Sequence, residues 1–249
     1  MRAIMSSLAL MTATSGAAAE IHRDALWIVL QSCVIAKKTA GMSFPCLNVN
    51  LGSSTDPGFA ALRAPLSATR VLVMPIERVE GIESPILQRP DASAYWRAAL
   101  GARQYVTDAL GARVPLSDVA MAVNSSVGRS QDQLHIHVDC VQPSVRSALR
   151  QHASAFGTRW APLPFSLLGA RYFGMKVAAQ DVEAFNPFAS LASLPGARKD
   201  LRATSMALVG APADDPSGGF YVLAYRGSRS PVENLLDPSC SPVSPSAAR

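Results

Sequence analysis

The stretch Gln131–Cys140, QDQLHIHVDC, decides how the rest of the chain is read. Side chains alternate across a strand, so extended backbone here sends Leu134, Ile136 and Val138 to one face and Gln133, His135, His137 and Asp139 to the other. The pattern predicts a strand over Gln133–Val141, with one face for a core and a polar face carrying two of the chain's 4 histidines. A solvated sheet face would be richer in Thr, Lys and Glu. A row of amide, two imidazoles and a carboxylate is unusual, because each such group costs free energy on burial unless it finds a partner. Three readings stand. The histidines are satisfied polar residues of an amphipathic strand. Or they supply two imidazoles to zinc, with Asp139, His22 or His152 as the third ligand. Or they perform phosphoryl chemistry, one neutral imidazole attacking phosphorus while the other holds or donates a proton.

Just upstream lies Asn124–Ser130, NSSVGRS. Standing alone it is a hairpin turn. Ahead of this strand it supplies what a phosphate site needs: Gly128 lets backbone approach closely, Arg129 offers charge-assisted donors, and Asn124 and Ser130 offer neutral ones.

Further out, the sequence predicts helices over Ala25–Ile35, Ser93–Leu110 and Asp181–Ala192, and one capped by Ser144 that runs to about Phe156. Strands are expected at Arg70–Ile76, Val119–Asn124, Thr204–Gly210 and Phe220–Arg226, the last two joined by a turn at Pro216–Gly219. Thr39–Pro65 and the Pro-rich Trp160–Phe173 read as loops. Hairpin-joined strands mixed with helices imply an α+β fold with an antiparallel sheet, not a doubly wound parallel one.

Composition sets the outer bounds. The 249 residues, 49% hydrophobic and 16% charged, suffice for one large core or two small ones. A net charge of +5 without Lys/Arg blocks argues against nucleic acid and suits an anionic substrate or an anionic membrane surface. The opening MRAIMSSLALMTATSGAAAE combines Arg2, a short apolar run Ala3–Met11 and small residues ending at Ala19. That order is expected of a secretory signal peptide cleaved after Ala19. In an oxidising compartment the 4 cysteines would pair, and their spacing favours Cys33 with Cys46 and Cys140 with Cys240. No CxxC occurs. The organisation expected is a signal peptide over 1–19, one catalytic domain over 20–240 and a frayed tail over 241–249.

Asn124, Gly128–Gln131 and His135–His137 resemble the histidine-triad superfamily, in which a Gly-x-Ser/Thr turn leads into alternating His and hydrophobic positions. More closely, the chain resembles the bacterial CDP-diacylglycerol pyrophosphatases. That likeness rests on Val73–Pro75, Arg78, Gly81–Pro85, the NSSVGRSQ turn, HIHVDC, Arg159–Trp160, Pro162–Pro164, Gly169, Pro187–Ala192 and the four cysteine positions. The resemblance implies a histidine-triad-like fold and hydrolysis of CDP-diacylglycerol to CMP and phosphatidate without metal or cofactor. His135 would be the nucleophile, His137 its support and Ser130 the hydroxyl at the phosphate or leaving-group oxygen. Asn124, Gly128, Arg129, Gln133 and Arg78 would bind substrate phosphates. The first triad position is Gln133, which cannot titrate, and Arg78 stands where many members carry a further histidine. The acyl chains of such a substrate would place the work at a bilayer surface, the expected signal peptide would put it on the exported side, and the apolar Pro164–Gly169 is the expected lipid contact. The resemblance leaves oligomeric state open. Action on a soluble CDP-alcohol and a zinc hydrolase built on the HxH pair are the alternatives.

Overall fold

The computed structural model describes residues 23–196, 201–212, 214–227 and 232–240. The expected signal peptide and the frayed tail lie outside these residues. The described chain is α+β, as the sequence pattern implies. Its centre is one ten-stranded sheet in which every pairing is antiparallel.

The strands are β1 (Asn48–Asn50), β2 (Phe59–Arg63), β3 (Val71–Pro75), β4 (Val119–Val123), β5 (Ile136–Val141), β6 (Ala161–Leu167), β7 (Ala170–Val177), β8 (Thr204–Gly210), β9 (Phe220–Arg226) and β10 (Leu236–Asp237). Their order across the sheet is β1-β2-β3-β5-β4-β8-β9-β7-β6. The histidine strand β5 therefore runs deep in the sheet, between β3 and β4. β10 pairs with β5 at Cys140 and Val141, beyond the reach of β3. The helices are α1 (Ala25–Ala40), α2 (Ser93–Ala109), α3 (Pro143–Gln151) and α4 (Pro187–Ser190).

The two faces of the sheet are covered differently. On one, α2 lays Tyr95, Trp96, Ala99 and Val106 against Val71, Val73, Met121, Ile136 and Val138, all buried. On the other, two separate clusters form. α1 packs Leu26, Leu30 and Val34 onto Ala60, Leu62, Leu72 and Met74. α3 and the 232–236 segment pack Val145, Leu149, Val232 and Leu235 onto Ala120, Ala122, Ala207 and Leu223. Burial of both faces explains why β4 is a continuous apolar run instead of an alternating one.

Several local expectations give way to the structure. Trp160–Phe173, expected as a loop, forms β6 and the start of β7. β6 ends the sheet order and pairs only with β7, and proline is tolerated at such an edge; the register shifts between Pro162 and Ser166. Within the expected lipid contact Pro164–Gly169, Leu167 is buried and Phe165 stacks on His152 with ring centroids 4.3 Å apart, while Leu168 is 51% exposed. Asp181–Ala192 is not one helix. Asn186 accepts from the Phe188 and Ala189 backbone N–H groups, and Pro187 starts the short α4. Proline cannot sit inside a helix that runs through it but is at home in a first turn. α3 likewise begins at Pro143, with Gln142 rather than Ser144 at the cap position. Thr39–Pro65 contains β1 and β2, and α1 continues to Ala40, where Gly41 adopts φ 71° and returns its N–H to the Lys37 carbonyl.

Candidate active site

The row expected from the sequence is present. Sheet register places Leu72 and Ala122 opposite His137 on its two neighbouring strands, and Ala207 opposite Ala122. Directly opposed residues of an antiparallel pair share a face. The histidines therefore lie on the face that carries two clusters, between the one under α1 and the one under α3. Beside His137 that face carries the small side chains of Ala122 and Ala207, so the sheet floor is low there.

His135 lies immediately before β5 and is 7% exposed. Its Nδ1 is 2.7 Å from the backbone oxygen of Gln133. A carbonyl oxygen only accepts, so Nδ1 carries the proton and Nε2 keeps its lone pair. Burial, reinforced by neighbouring His137, pulls the His135 pKa down to about 4. The ring is thus neutral at pH 7, with a defined basic nitrogen. The His135 and His137 rings meet edge to face at a centroid separation of 4.8 Å.

His137 faces Glu233, its Nε2 2.9 Å from Oε2. Both ring nitrogens of His137 are buried and lack an aligned hydrogen bond, so the Glu233 contact is a close approach rather than a well-directed bond. Asn124 Nδ2 donates to the same Glu233 oxygen at 3.1 Å. The His137 contact holds the Glu233 carboxyl at about 2, against burial that would raise it. At the inner end of the row Asp139 is fully buried, accepting from Thr69 Oγ1, the Arg70 Nε and the Cys140 N–H. Burial nonetheless pushes its carboxyl up.

The other expected substrate ligands separate into two groups. Ser130 is exposed, and Gly128 sits in a turn whose Gly128 and Arg129 N–H groups both point to the Ser125 carbonyl. Gln133, Arg129 and Arg78 hold the scaffold. Gln133 donates to the Pro75 and Glu77 carbonyls and accepts from the Val79 N–H, tying the segment after β3 to the histidine strand. The buried Arg129 guanidinium contacts Glu83 at 2.8 Å and Asp132 at 3.1 Å. Gly81 leaves it room, since a Cβ there would force the Arg129 guanidinium to shift. Arg78 pairs with Asp24 at 2.5 Å and lies over the Trp27 ring. Arg78, Arg129 and Gln133, three of the five expected phosphate ligands, therefore already have protein partners, and so has Asn124 at Glu233.

The family described as CDP-diacylglycerol pyrophosphatase matches residues 21–244. The chain belongs to this family. It is 35% identical over 226 residues to the CDP-diacylglycerol pyrophosphatase of Yersinia pestis, covering 88% of this chain and 84% of that one. Among solved structures, a DUF4931 family protein of Bacillus cereus overlays 75% of this chain and 89% of its own, at a TM-score of 0.42 and 9% identity. The function of the family is hydrolysis of the CDP-diacylglycerol pyrophosphate bond, and the protein is an enzyme of that activity.

For a CDP-diacylglycerol pyrophosphatase, the residue sequence reasoning missed is Glu233. It lies in PVENLLDPSC, about a hundred residues from the histidines. Its only signal is indirect. The Cys140–Cys240 bridge is formed, and it ties the C-terminal segment that holds Glu233 to the end of β5. The Cys33–Cys46 bridge is formed as well. The zinc alternative gains nothing from this geometry. Among the described residues the one converging trio of ligand-type side chains is Asp139, Cys140 and Cys240, and its two sulfurs are joined in the disulfide. His152, a suggested third ligand, is stacked on Phe165.

Proposed function

We propose that the pyrophosphate bond is cleaved by covalent catalysis of the histidine-triad kind, with His135 Nε2 as nucleophile. The observation that carries this is the His135 Nδ1 bond to the Gln133 carbonyl, which leaves Nε2 unprotonated in a buried, neutral ring. Nε2 forms a bond to the cytidylyl phosphorus as the bridging P–O bond breaks, and the electron pair leaves with phosphatidate. Water then forms the second P–O bond, Nε2–P breaks, and CMP is released. The water proton is given up to solvent. His137, whose buried nitrogens lack aligned partners, turns a ring N–H to a phosphoryl oxygen, and Glu233, 2.9 Å from Nε2, positions the ring. Ser130 completes the phosphate contacts, and Gly128, without a side chain, leaves room for the phosphate to approach. Gln133, Arg129 and Arg78 act by holding the loops in place.

The substrate partitions into bilayers through its acyl chains, at about 0.8 kcal/mol per buried CH₂. The enzyme therefore works at a membrane surface. The N-terminal signal-like sequence and the two disulfides support export to the periplasmic side of the inner membrane.

The test is to trap label from CDP-diacylglycerol radiolabelled in the CMP half. Acid-quenched wild type carries labelled CMP on the protein, and His135→Ala carries none and is inactive. Failure to trap label, together with activity lost to chelator and rescued by zinc, overturns the nucleophile assignment.

A further inference from the structure

Of the eleven large hydrophobic side chains exposed among the described residues, seven fall between Ile28 and Leu51, on α1 and the loop after it. Ile28 and Ile35 are seven residues apart and so share one stripe of the helix, opposite the buried Leu26, Leu30 and Val34. They are 55% and 59% exposed. The following loop adds Met42 at 59% and Phe44 at 79%, and the Cys33–Cys46 bridge fastens this loop to the helix. An apolar concentration of this kind marks a contact surface. Its charge is one-sided: from Ala25 to Thr55 there is no Asp or Glu, and Lys37 and Lys38 stand in the last turn of α1.

We propose that this face is the surface by which the enzyme docks on an anionic bilayer. An apolar stripe flanked by lysines, with no acid, is complementary to lipid tails under negatively charged headgroups. The helix lies on the surface and does not enter it, because its other side is packed on β2 and β3. The helix that carries this face is also tied at its start to the loops of the candidate site. At the start of α1 the Leu26 N–H donates to Gln131 Oε1 at 2.8 Å, Arg23 pairs with Asp132 at 2.6 Å, and Asp24 pairs with Arg78. Those partners belong to the loops beside Ser130 and the histidine strand. Docking by α1 thus brings the phosphate-facing turn to the level of the lipid headgroups. The inference rests on the assigned lipid substrate and is independent of which group attacks phosphorus.

The test uses the full chain with vesicles of brominated phosphatidylglycerol and phosphatidylcholine. In Phe44→Trp, the added fluorescence is expected to be quenched by brominated acyl chains, above the quenching of the parent's own tryptophans. Ile35→Asp combined with Phe44→Asp is expected to lose at least tenfold in activity on vesicle-borne CDP-diacylglycerol. On a short-chain, monomeric substrate in water it should match wild type. Absence of any added quenching in Phe44→Trp overturns the proposal. So do equal losses on both substrates, or a dimer in sedimentation that the double variant abolishes, which would give the face to a second copy. His135→Ala with Phe44→Trp should be inactive on both substrates yet fully quenched, so failure of the nucleophile assignment is distinguishable from failure of docking.

Discussion

His135 Nδ1 lies 2.7 Å from the carbonyl oxygen of Gln133, two residues earlier in the same chain. This local contact fixes the imidazole tautomer without a carboxylate. The side chain of Gln133 is engaged at the same time with the backbone of Pro75, Glu77 and Val79. A position that cannot titrate therefore positions His135 by holding still the carbonyl that orients it.

The pH dependence follows from the depressed His135 pKa of about 4, set first by burial and then by His137. The neutral, attacking form persists down to that value instead of failing near 6.5. The acid limb of kcat/KM is expected well below pH 6, with NMR titration of His135 as the direct check. Stability has the same sign: the unfolded chain binds a proton near 6.5 that the folded chain refuses until about 4, so His135 favours unfolding as pH falls through that window. Glu233 acts lower. Its carboxyl is held at about 2 against a usual 4.5, so its contribution is full above 4.5 and is lost as pH falls towards 2. An acid limb at about 6.5 would show that His135 is not held neutral.

Glu233→Gln keeps the shape of the side chain and removes the charge beside His137. Loss of the charge at a partly buried close contact that is not an aligned hydrogen bond is expected to cost on the order of 1–2 kcal/mol, which is roughly 5- to 30-fold in rate. That loss is expected in kcat, with KM little changed, because Glu233 reaches the phosphate only through His137. Steady-state kinetics on a monomeric short-chain substrate measure the split. A rise in KM at constant kcat would instead make Glu233 part of substrate binding.

Gly128→Ala separates packing from substrate approach. A Cβ at Gly128 would lie 3.4 Å from Ser125 Oγ, an ordinary contact, and the φ of Gly128 is not in the left-handed region. The fold itself therefore does not require glycine there. Urea unfolding is expected to be unchanged within about 0.5 kcal/mol, while KM rises several-fold as the methyl group crowds the phosphate. A normal KM would remove Gly128 from the binding surface.

What the sequence revealed and what it hid divide along physical lines. The period-2 pattern from Gln133 to Asp139 made the histidine strand legible, because a strand's two faces are written in consecutive residues. Helix α2 was legible for the same reason at its own period. β6 was hidden because Pro162 and Pro164 argue against a strand unless its place at the sheet edge is known, and edge position is a tertiary fact. Arg78 and Arg129 looked free for phosphate because Asp24 and Glu83 are about fifty residues away in sequence, and the nearby Asp132 reads as an acid of a turn until the fold brings it onto Arg129. Glu233 was invisible as a site residue for the same reason. Such an acid acquires meaning only when the chain folds it against His137.

The disulfides should differ in effect although both are formed. Cys140–Cys240 spans 100 residues and Cys33–Cys46 spans 13. The loop-entropy argument assigns about 4.7 kcal/mol to the longer loop and about 3 kcal/mol to the shorter. Only the long bridge fastens the segment carrying β10 and Glu233 to β5. Cys140→Ala with Cys240→Ala is therefore expected to cost about 2–5 kcal/mol in urea unfolding and also to lower kcat, since Glu233 loses its fixed place at His137. Cys33→Ala with Cys46→Ala should lower stability while leaving kcat on a monomeric substrate intact, because that bridge fastens α1 to its loop and touches neither histidine. If both double variants lost kcat equally, the coupling of the long bridge to Glu233 would be refuted.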